Sequence, residues 1–238
     1  MLLNIYMKLN SIQIDAIYII NLESDVERKN HILVLLEKYD IKSITSKVIF
    51  FNGYDYRYKP IEKEQNFIGT PGGYGCTKSH LGCITDAREN NYNTILIFED
   101  DIIVHKLFKS RWNSIIIPDD WKLVHLGAMQ INWDGIALDE NQSFYKSSKT
   151  LGGFSYILNK DMFSKVLDYY DIHRRPIDEI LIILQNEQPC FTIYPNLFIN
   201  YVNKSYIRYR NKWTIQNTCN FFKWNLDDFD LSHVNSFS

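Results

Sequence analysis

The stretch TILIFEDDIIV, Thr94–Val104, places three acidic residues between two apolar runs. Glu99, Asp100 and Asp101 repel one another in such surroundings and resist losing water, so a positively charged partner is expected. If the backbone stays extended, Glu99 and Asp101 point to one side and Asp100 to the other. Two carboxylates on one face suit a hard divalent cation, Mg²⁺ or Mn²⁺. The alternative is that they are helix-capping or solvated loop acids.

The elements around the acids indicate an α/β fold. The apolar run Thr94–Phe98 predicts a strand with the acids at its carboxyl end, and Ala16–Leu22 has the continuous apolar character of a buried parallel strand. A third strand is predicted within Ser46–Asp55. In such sheets ligands bind at the carboxyl ends of the strands. We expect Ala16–Leu22 and Thr94–Phe98 to be neighbouring central strands whose carboxyl ends face one cleft.

Two helices are predicted between these strands. Ser24 followed by Glu27 matches a capping box for a helix that ends near Tyr39. The glycine-dense stretch Gly69–His80 leads into a predicted helix at roughly Cys76–Asn90. This stretch lacks the glycine that a P-loop has directly before its lysine. It also lacks the G-x-G-x-x-G spacing of dinucleotide-binding Rossmann folds. It is therefore interpreted as a tight turn with helix-start glycines.

The remaining chain continues the alternation of strands and helices. No internal repeat or low-complexity linker interrupts it, so a single domain over residues 1–238 with an irregular C-terminal tail is predicted. The predicted elements are strands at Lys122–Met129 and Gly152–Lys160, a helix through Tyr170, a helix at Ile177–Glu187, and a late strand or strand pair at Cys190–Tyr201.

Composition excludes several classes of protein. The 238 residues are 45% hydrophobic and 23% charged, as in globular domains, and the net charge of −2 gives no basic field for nucleic acid. The N-terminus lacks a signal-peptide pattern and no run of about 18 apolar residues occurs, so a cytoplasmic protein without a membrane span is expected. The four cysteines form no CxxC pair and have no clustered histidines, so zinc is not predicted.

Three motifs in this order resemble glycosyltransferase family 25: AIYIINLESDVER, TPGGYGCTKSHLGCI and ILIFEDD. Weaker similarity continues in GGFSYILNKDMF, in RPIDEIL and in Ser205–Ile207, so the resemblance covers about residues 14–210. Bacterial members of this family build lipooligosaccharide, and animal relatives galactosylate collagen hydroxylysine.

The resemblance implies a GT-A-type fold, with a mostly parallel sheet flanked by helices, and a nucleotide-sugar donor. It implies a Mn²⁺- or Mg²⁺-dependent hexosyltransferase. Such an enzyme moves galactose or glucose from a UDP-sugar to a hydroxyl of a glycan or of a glycosylated or collagen-like protein. In this comparison Asp101 is the metal ligand, with Glu99 and Asp100 beside the metal or the donor ribose.

The same comparison assigns further residues to the donor. Asn21 and Arg28 of the first motif would meet the donor, and Arg28 either pairs with phosphate or caps its helix. Ser79 and His80 of the second motif lie on the helix before the acidic strand. His80 either contacts the donor or is a hydrogen-bonded scaffold residue.

Inverting sugar transfer also requires a base that takes the acceptor proton. Asp178 follows Pro176 at a predicted helix start and matches the P-x-D of the family. A helix N-terminus stabilises a carboxylate, so Asp178 is the candidate base; the alternative is an ordinary helix-start acid. The family often has glutamine at the position of Asn200, and the S-x-I element of this chain carries Tyr206. These two departures from the family pattern leave the identity of the acceptor open.

Other classes of protein remain as alternatives. A nucleotidyl- or phosphoryl-transferase would need a basic phosphate-binding loop, which the sequence lacks. A hydrolase with paired carboxylates would place them roughly 5–10 Å apart across the substrate, which contiguous acids suit poorly. A non-catalytic module that binds a sugar nucleotide or glycan would have little use for the acid cluster. The donor sugar, the linkage and the oligomeric state are left open.

Overall fold

The computed structural model describes residues 5–58, 66–136, 138, 143–200 and 215–232. Within them, a central sheet of seven strands carries helices on both faces. The strands are β1 (Tyr6–Lys8), β2 (Ala16–Asn21), β3 (Val48–Asn52), β4 (Thr94–Glu99), β5 (Ile102–Val104), β6 (Ile116–Pro118), β7 (Leu123–His125), β8 (Met129–Gln130), β9 (Phe144–Lys146), β10 (Thr150–Leu151), β11 (Ser155–Asn159), β12 (Cys190–Ile193) and β13 (Phe198–Asn200). The α-helices are α1 (Val26–Lys38), α2 (Pro71–Glu89), α3 (Phe108–Ser114), α4 (Phe163–His173), α5 (Ile177–Gln185) and α6 (Ile215–Phe222).

The order of strands in the central sheet is β3-β2-β4-β11-β7-β12-β9. β2 is parallel to both β3 and β4, β7 is parallel to β12, and β11 and β9 run the opposite way. The predicted α/β fold with a mostly parallel sheet is confirmed, and the sheet is mixed because of these two strands. The predicted neighbours are also confirmed, since β2 pairs with β4 and Ile20 lies opposite Glu99.

The continuous apolar runs of β2 and β4 are explained by burial on both faces of the sheet. Ile17 and Ile19 of β2 point into the same core as helix α1. Ala16 and Tyr18, which alternate with them, point into a second core shared with α2, α4 and α5. Because successive strand residues face opposite sides, a strand covered on both sides is apolar over most of its length.

Helix α1 begins one residue later than its predicted capping box. Its N-cap is Asp25, whose carboxylate accepts from the backbone amide of Arg28 at 3.1 Å. The capping box of Ser24 and Glu27 is therefore wrong, because the carboxylate of Asp25 satisfies the free amide of the first turn instead.

Helix α2 begins at Pro71, well before the predicted Cys76. Thr70 is the N-cap and its hydroxyl accepts from the amide of Gly73 at 3.0 Å. A threonine cap followed by proline in the first turn is a strong start signal, and it outweighs the weak helix propensity of the glycines. The glycines are thus helical, and a Cβ at Gly75 would lie 2.5 Å from the carbonyl oxygen of Tyr54.

The later predicted elements correspond to β7 and β8, β11, α4 and α5. The late segment is a pair of strands, of which β12 joins the central sheet and β13 pairs with β5. None of the helices in the described ranges has the length and apolar character needed to cross a membrane. The domain boundaries remain a prediction.

Candidate active site

The carboxyl ends of β3, β2 and β4 meet the start of β11 at one edge of the sheet. A cavity of about 350 Å³ lies there. Its walls come from the acidic triplet, the loop after β3, the first turns of α2 and α5, and Phe222 of α6. This is the edge at which an open α/β sheet binds its ligands.

The acids at the end of β4 do not continue an extended strand. β4 ends at Glu99, and Asp100 and Asp101 lie in a turn. Arg28 Nη1 lies 2.9 Å from Asp100 Oδ1 and 3.6 Å from Asp101 Oδ2. Asn21 Nδ2 donates to Asp100 Oδ2 at 2.7 Å. The expected pairing of Glu99 with Asp101 on one strand face does not form this way, because the backbone turns after Glu99.

Burial raises the pKa of the Asp101 carboxyl above its usual range; Arg28 opposes this rise, and Glu99 and Asp100 add to it. Burial also raises the pKa of Asp100, against the effects of Arg28 and Asn21. Asp101 Oδ1 is buried and has no hydrogen-bond partner among the described residues. A buried carboxylate oxygen without a donor is costly, so this atom fits a cation ligand.

Glu99 belongs to a different set of contacts. His80 Nε2 lies 3.4 Å from Glu99 Oε1, and the Cys76 thiol donates to the same oxygen at 3.8 Å. His80 is fully buried, and its Nδ1 lies 3.0 Å from the hydroxyl of Tyr156. Burial raises the pKa of the Cys76 thiol well above its usual value, and nearby carboxylates, Glu99 first, add to the effect.

Asp178 lies on the same wall of the cavity as Glu99. It stands in the first turn of α5, whose N-cap is Pro176, and the amide of Ile177 donates to Thr77 Oγ1 at 3.0 Å. A methyl group added at Gly153 would lie 3.0 Å from Asp178 Oδ1 and 3.4 Å from Glu99 Oε1.

Ser79 ties the loop after β3 to helix α2. Its hydroxyl donates to the carbonyl of Gly75 at 2.7 Å and accepts from the amide of Tyr54 at 2.8 Å. Of the residues predicted from the sequence, Asn21 and His80 support the acids from behind. Those that line the cavity are Arg28, Ser79, Glu99, Asp100, Asp101 and Asp178.

Two features of the site escaped sequence reasoning. The guanidinium of Arg28 pairs with Asp100 and Asp101, a contact that the sequence did not predict, and its expected role beside a donor phosphate remains a prediction. Cys76 and His80 meet Glu99, although no clustered histidine was expected. The available signal was their i, i+4 spacing, which places both on one helix face. The Ser205–Ile207 element lies outside the described residues.

The architecture defines an α/β protein with a ligand cavity at the carboxyl edge of its sheet. A family model described as glycosyltransferase family 25 (LPS biosynthesis protein) matches residues 14–137, which is more than half of the chain. The chain belongs to glycosyltransferase family 25. A Bos taurus protein named probable inactive glycosyltransferase 25 family member 3 is 22% identical over 192 residues, covering 74% of this chain. The chain spans only 32% of that relative's length.

The solved structures that match this chain are more distant in sequence. A glycosyltransferase involved in glycosylation of the PBCV-1 major capsid is 14% identical, with a TM-score of 0.35 over 74% of this chain and 69% of that chain. A Drosophila β1,4-galactosyltransferase 7 mutant in complex with manganese, UDP-Gal and xylobiose is 9% identical. The match covers 85% of this chain and 77% of that chain, with a TM-score of 0.42. Both TM-scores are below 0.5, so the family assignment rests on the sequence match.

Proposed function

We propose that this chain is a divalent-metal-dependent hexosyltransferase. The donor is a UDP-sugar, UDP-galactose or UDP-glucose, and the acceptor is a hydroxyl of a glycan or of a glycosylated or collagen-like protein. Transfer inverts the anomeric carbon. Membership of glycosyltransferase family 25 supports the class of reaction, and the acidic edge of the cavity supports the divalent metal.

The observation that carries the proposal is the state of Asp101. Its Oδ1 is buried at the cavity without a hydrogen-bond partner among the described residues, next to two further carboxylates. An oxygen of this kind suits Mn²⁺ or Mg²⁺, with Asp101 as the principal ligand and Glu99 as the second. When bound, such an ion neutralises the charge that develops on a departing diphosphate.

The chain's own residues position the reactants. Arg28 holds Asp100 and Asp101 at the end of the strand, and Asn21 orients Asp100 from behind. Asp178 stands on the same wall as Glu99 at a helix start, and it takes the proton from the acceptor hydroxyl. Tyr54 and Ser79 line the side of the cavity that this proposal assigns to the donor.

A second candidate function is a non-catalytic module that binds a sugar nucleotide or glycan. The observation in its favour is Arg28, which supplies Asp100 and Asp101 with a positive charge from the protein itself. The Bos taurus relative, whose name describes it as probably inactive, points the same way. A module of this kind would bind the donor without turning it over.

Turnover of UDP-galactose and UDP-glucose with and without Mn²⁺ separates the two candidates. We expect Mn²⁺-dependent release of UDP, lost in Asp101→Asn and retained in the matched surface control Asp119→Asn. Binding of either donor without any release would favour the module. An α-linked donor yielding a β-linked product would support inversion, and retained configuration would remove Asp178 as the base.

A further inference from the structure

We propose that Cys76, His80 and Glu99 form a binding site for a transition-metal ion, Zn²⁺ being the best match. This site goes beyond the proposed sugar transfer: it shares Glu99 with the proposed Mn²⁺ or Mg²⁺ site and adds Cys76 and His80, which that site does not use. The three side chains offer one sulfur, one imidazole nitrogen and one carboxylate oxygen, and these atoms lie within 4.8 Å of one another. Cys76 and Glu99 line the cavity, and His80 is buried behind them.

Two of the three distances between these atoms are close to the values expected for tetrahedral coordination. Zinc binds sulfur at about 2.3 Å and nitrogen or oxygen at about 2.0–2.2 Å, so ligand atoms around one ion lie about 3.3–3.6 Å apart. His80 Nε2 is 3.4 Å from Glu99 Oε1, and Cys76 Sγ is 3.8 Å from the same oxygen. The third pair, Cys76 Sγ and His80 Nε2, lies within 4.8 Å, so ion binding would draw the thiol and the imidazole closer together.

The fold holds the ligands in place before an ion arrives. Cys76 and His80 are four residues apart on α2 and so share one helix face. The second ring nitrogen of His80 lies 3.0 Å from the hydroxyl of Tyr156. Histidines that bind metals almost always have such a partner on their other nitrogen, because it sets the tautomer and the ring orientation.

The surroundings of the three ligands are open on one side. Three protein ligands with a fourth position facing a cavity are the pattern of zinc sites that bind water or a ligand. Gly153 keeps this side clear, since a methyl group there would lie 3.4 Å from Glu99 Oε1 and 3.5 Å from His80 Nε2. Asp178 lies across from Gly153 and adds a carboxylate to the opening.

The kind of ion follows from the ligand set. A thiolate and an imidazole select zinc or cobalt, whereas Mg²⁺ and Mn²⁺ prefer all-oxygen ligands. Asp101, with its partnerless oxygen, supplies the hard-ligand chemistry, and Cys76 supplies the soft one. We therefore expect Mn²⁺ and Mg²⁺ to bind at Asp101, and Zn²⁺ and Co²⁺ to bind at Cys76 and His80.

Cobalt spectroscopy on the full chain tests the site. Protein stripped with a chelator is titrated with Co²⁺, which absorbs strongly in the near ultraviolet when a thiolate binds it. We expect one equivalent of Co²⁺ to give this absorption and Zn²⁺ to displace it. Cys76→Ser should abolish the absorption. It should also weaken Zn²⁺ binding by more than roughly 10–100-fold, which is the usual cost of losing a residue that only hydrogen-bonds to a metal ligand.

Matched variants separate a metal site from an unspecific effect. Cys83→Ser removes another buried thiol of the same helix and should leave the absorption intact. Gly153→Ala keeps all three ligands, crowds them, and should weaken Co²⁺ binding, with circular dichroism reporting the fold. Asp101→Asn should keep the absorption while losing Mn²⁺-dependent sugar transfer, which distinguishes failure of this proposal from failure of the proposed function.

Two results would overturn the proposal. One is wild-type protein that shows no thiolate absorption with Co²⁺, which would leave Cys76, His80 and Glu99 as a hydrogen-bonded group without a metal. The other is absorption that survives Cys76→Ser, which would place the cobalt on a different cysteine.

Discussion

The acidic triplet divides into two regions whose charges are compensated in different ways. Asp100 and Asp101 are held by the guanidinium of Arg28, at 2.9 and 3.6 Å. Glu99, one residue earlier, contacts the thiol of Cys76 and the imidazole of His80. In the described part of the chain, no guanidinium or ammonium lies within salt-bridge distance of Glu99.

The difference shows that contiguous acids do not by themselves make one site. β4 ends at Glu99 and the chain turns there. Asp100 and Asp101 therefore do not alternate between the two faces of the sheet as strand residues do. Arg28 then reaches both of them from α1, because the cap at Asp25 brings the first turn of α1 close to this edge. Arg28 compensates the first region but leaves Asp101 Oδ1 without a partner among the described residues, and the second region adds a thiol and an imidazole as potential metal ligands.

The largest effect is expected on the Glu99 side, at Asp178. Asp178→Asn should lower turnover by about 10²–10⁴-fold, because the acceptor hydroxyl loses its base. The melting temperature should change little. Glu179→Gln is the matched control, since it alters the next residue of the same helix turn, which pairs with Arg175 at the surface. A normal rate with a lowered melting temperature would make Asp178 a helix-stabilising acid.

On the Arg28 side, the expected effect is on stability. Arg28→Met removes the partner of two buried carboxylates and should lower the free energy of unfolding by about 3–5 kcal/mol. Arg175→Met, which removes one exposed ion pair, should cost less than about 1 kcal/mol. Urea unfolding measures both. Equal losses in the two variants would mean that Arg28 does not compensate the acids in the folded protein.

A smaller effect is expected from His125, which lies beyond Tyr156 behind the Glu99 region. Burial lowers its pKa from 6.5 to about 4. The unfolded chain therefore binds more protons between these values, and stability present above pH 6.5 is lost as the pH falls towards 4. The loss amounts to about 3 kcal/mol over this range.

His125→Gln should flatten this part of the stability curve. The measurement is the free energy of unfolding at several pH values between 4.5 and 7, in the variant and in wild-type protein. The comparison concerns the slope with pH, so a general loss of stability in the variant does not affect it. Equal slopes would show that His125 is not the group that titrates.

Much of the fold follows from local patterns, and much of the site does not. β2 and β4 are predictable because strands buried on both faces leave a continuous apolar run. The start of α2 was misplaced because glycines suggested a turn, whereas the cap at Thr70 was the stronger signal. The positions of Arg28 and of Cys76 relative to the acids depend on how α1 and α2 pack on the sheet. The spacing of residues along one sequence says little about this packing.

Direct Mn²⁺ binding tests the central claim, that Asp101 is the principal ligand of the hard metal and that Cys76 takes no part in binding it. Electron paramagnetic resonance reports free Mn²⁺ during titration of wild-type protein, Asp101→Asn and Cys76→Ser in the presence of UDP. We expect Asp101→Asn to lose Mn²⁺ binding and Cys76→Ser to bind Mn²⁺ as wild-type protein does. Wild-type binding by Asp101→Asn, or its loss in Cys76→Ser, would contradict the account.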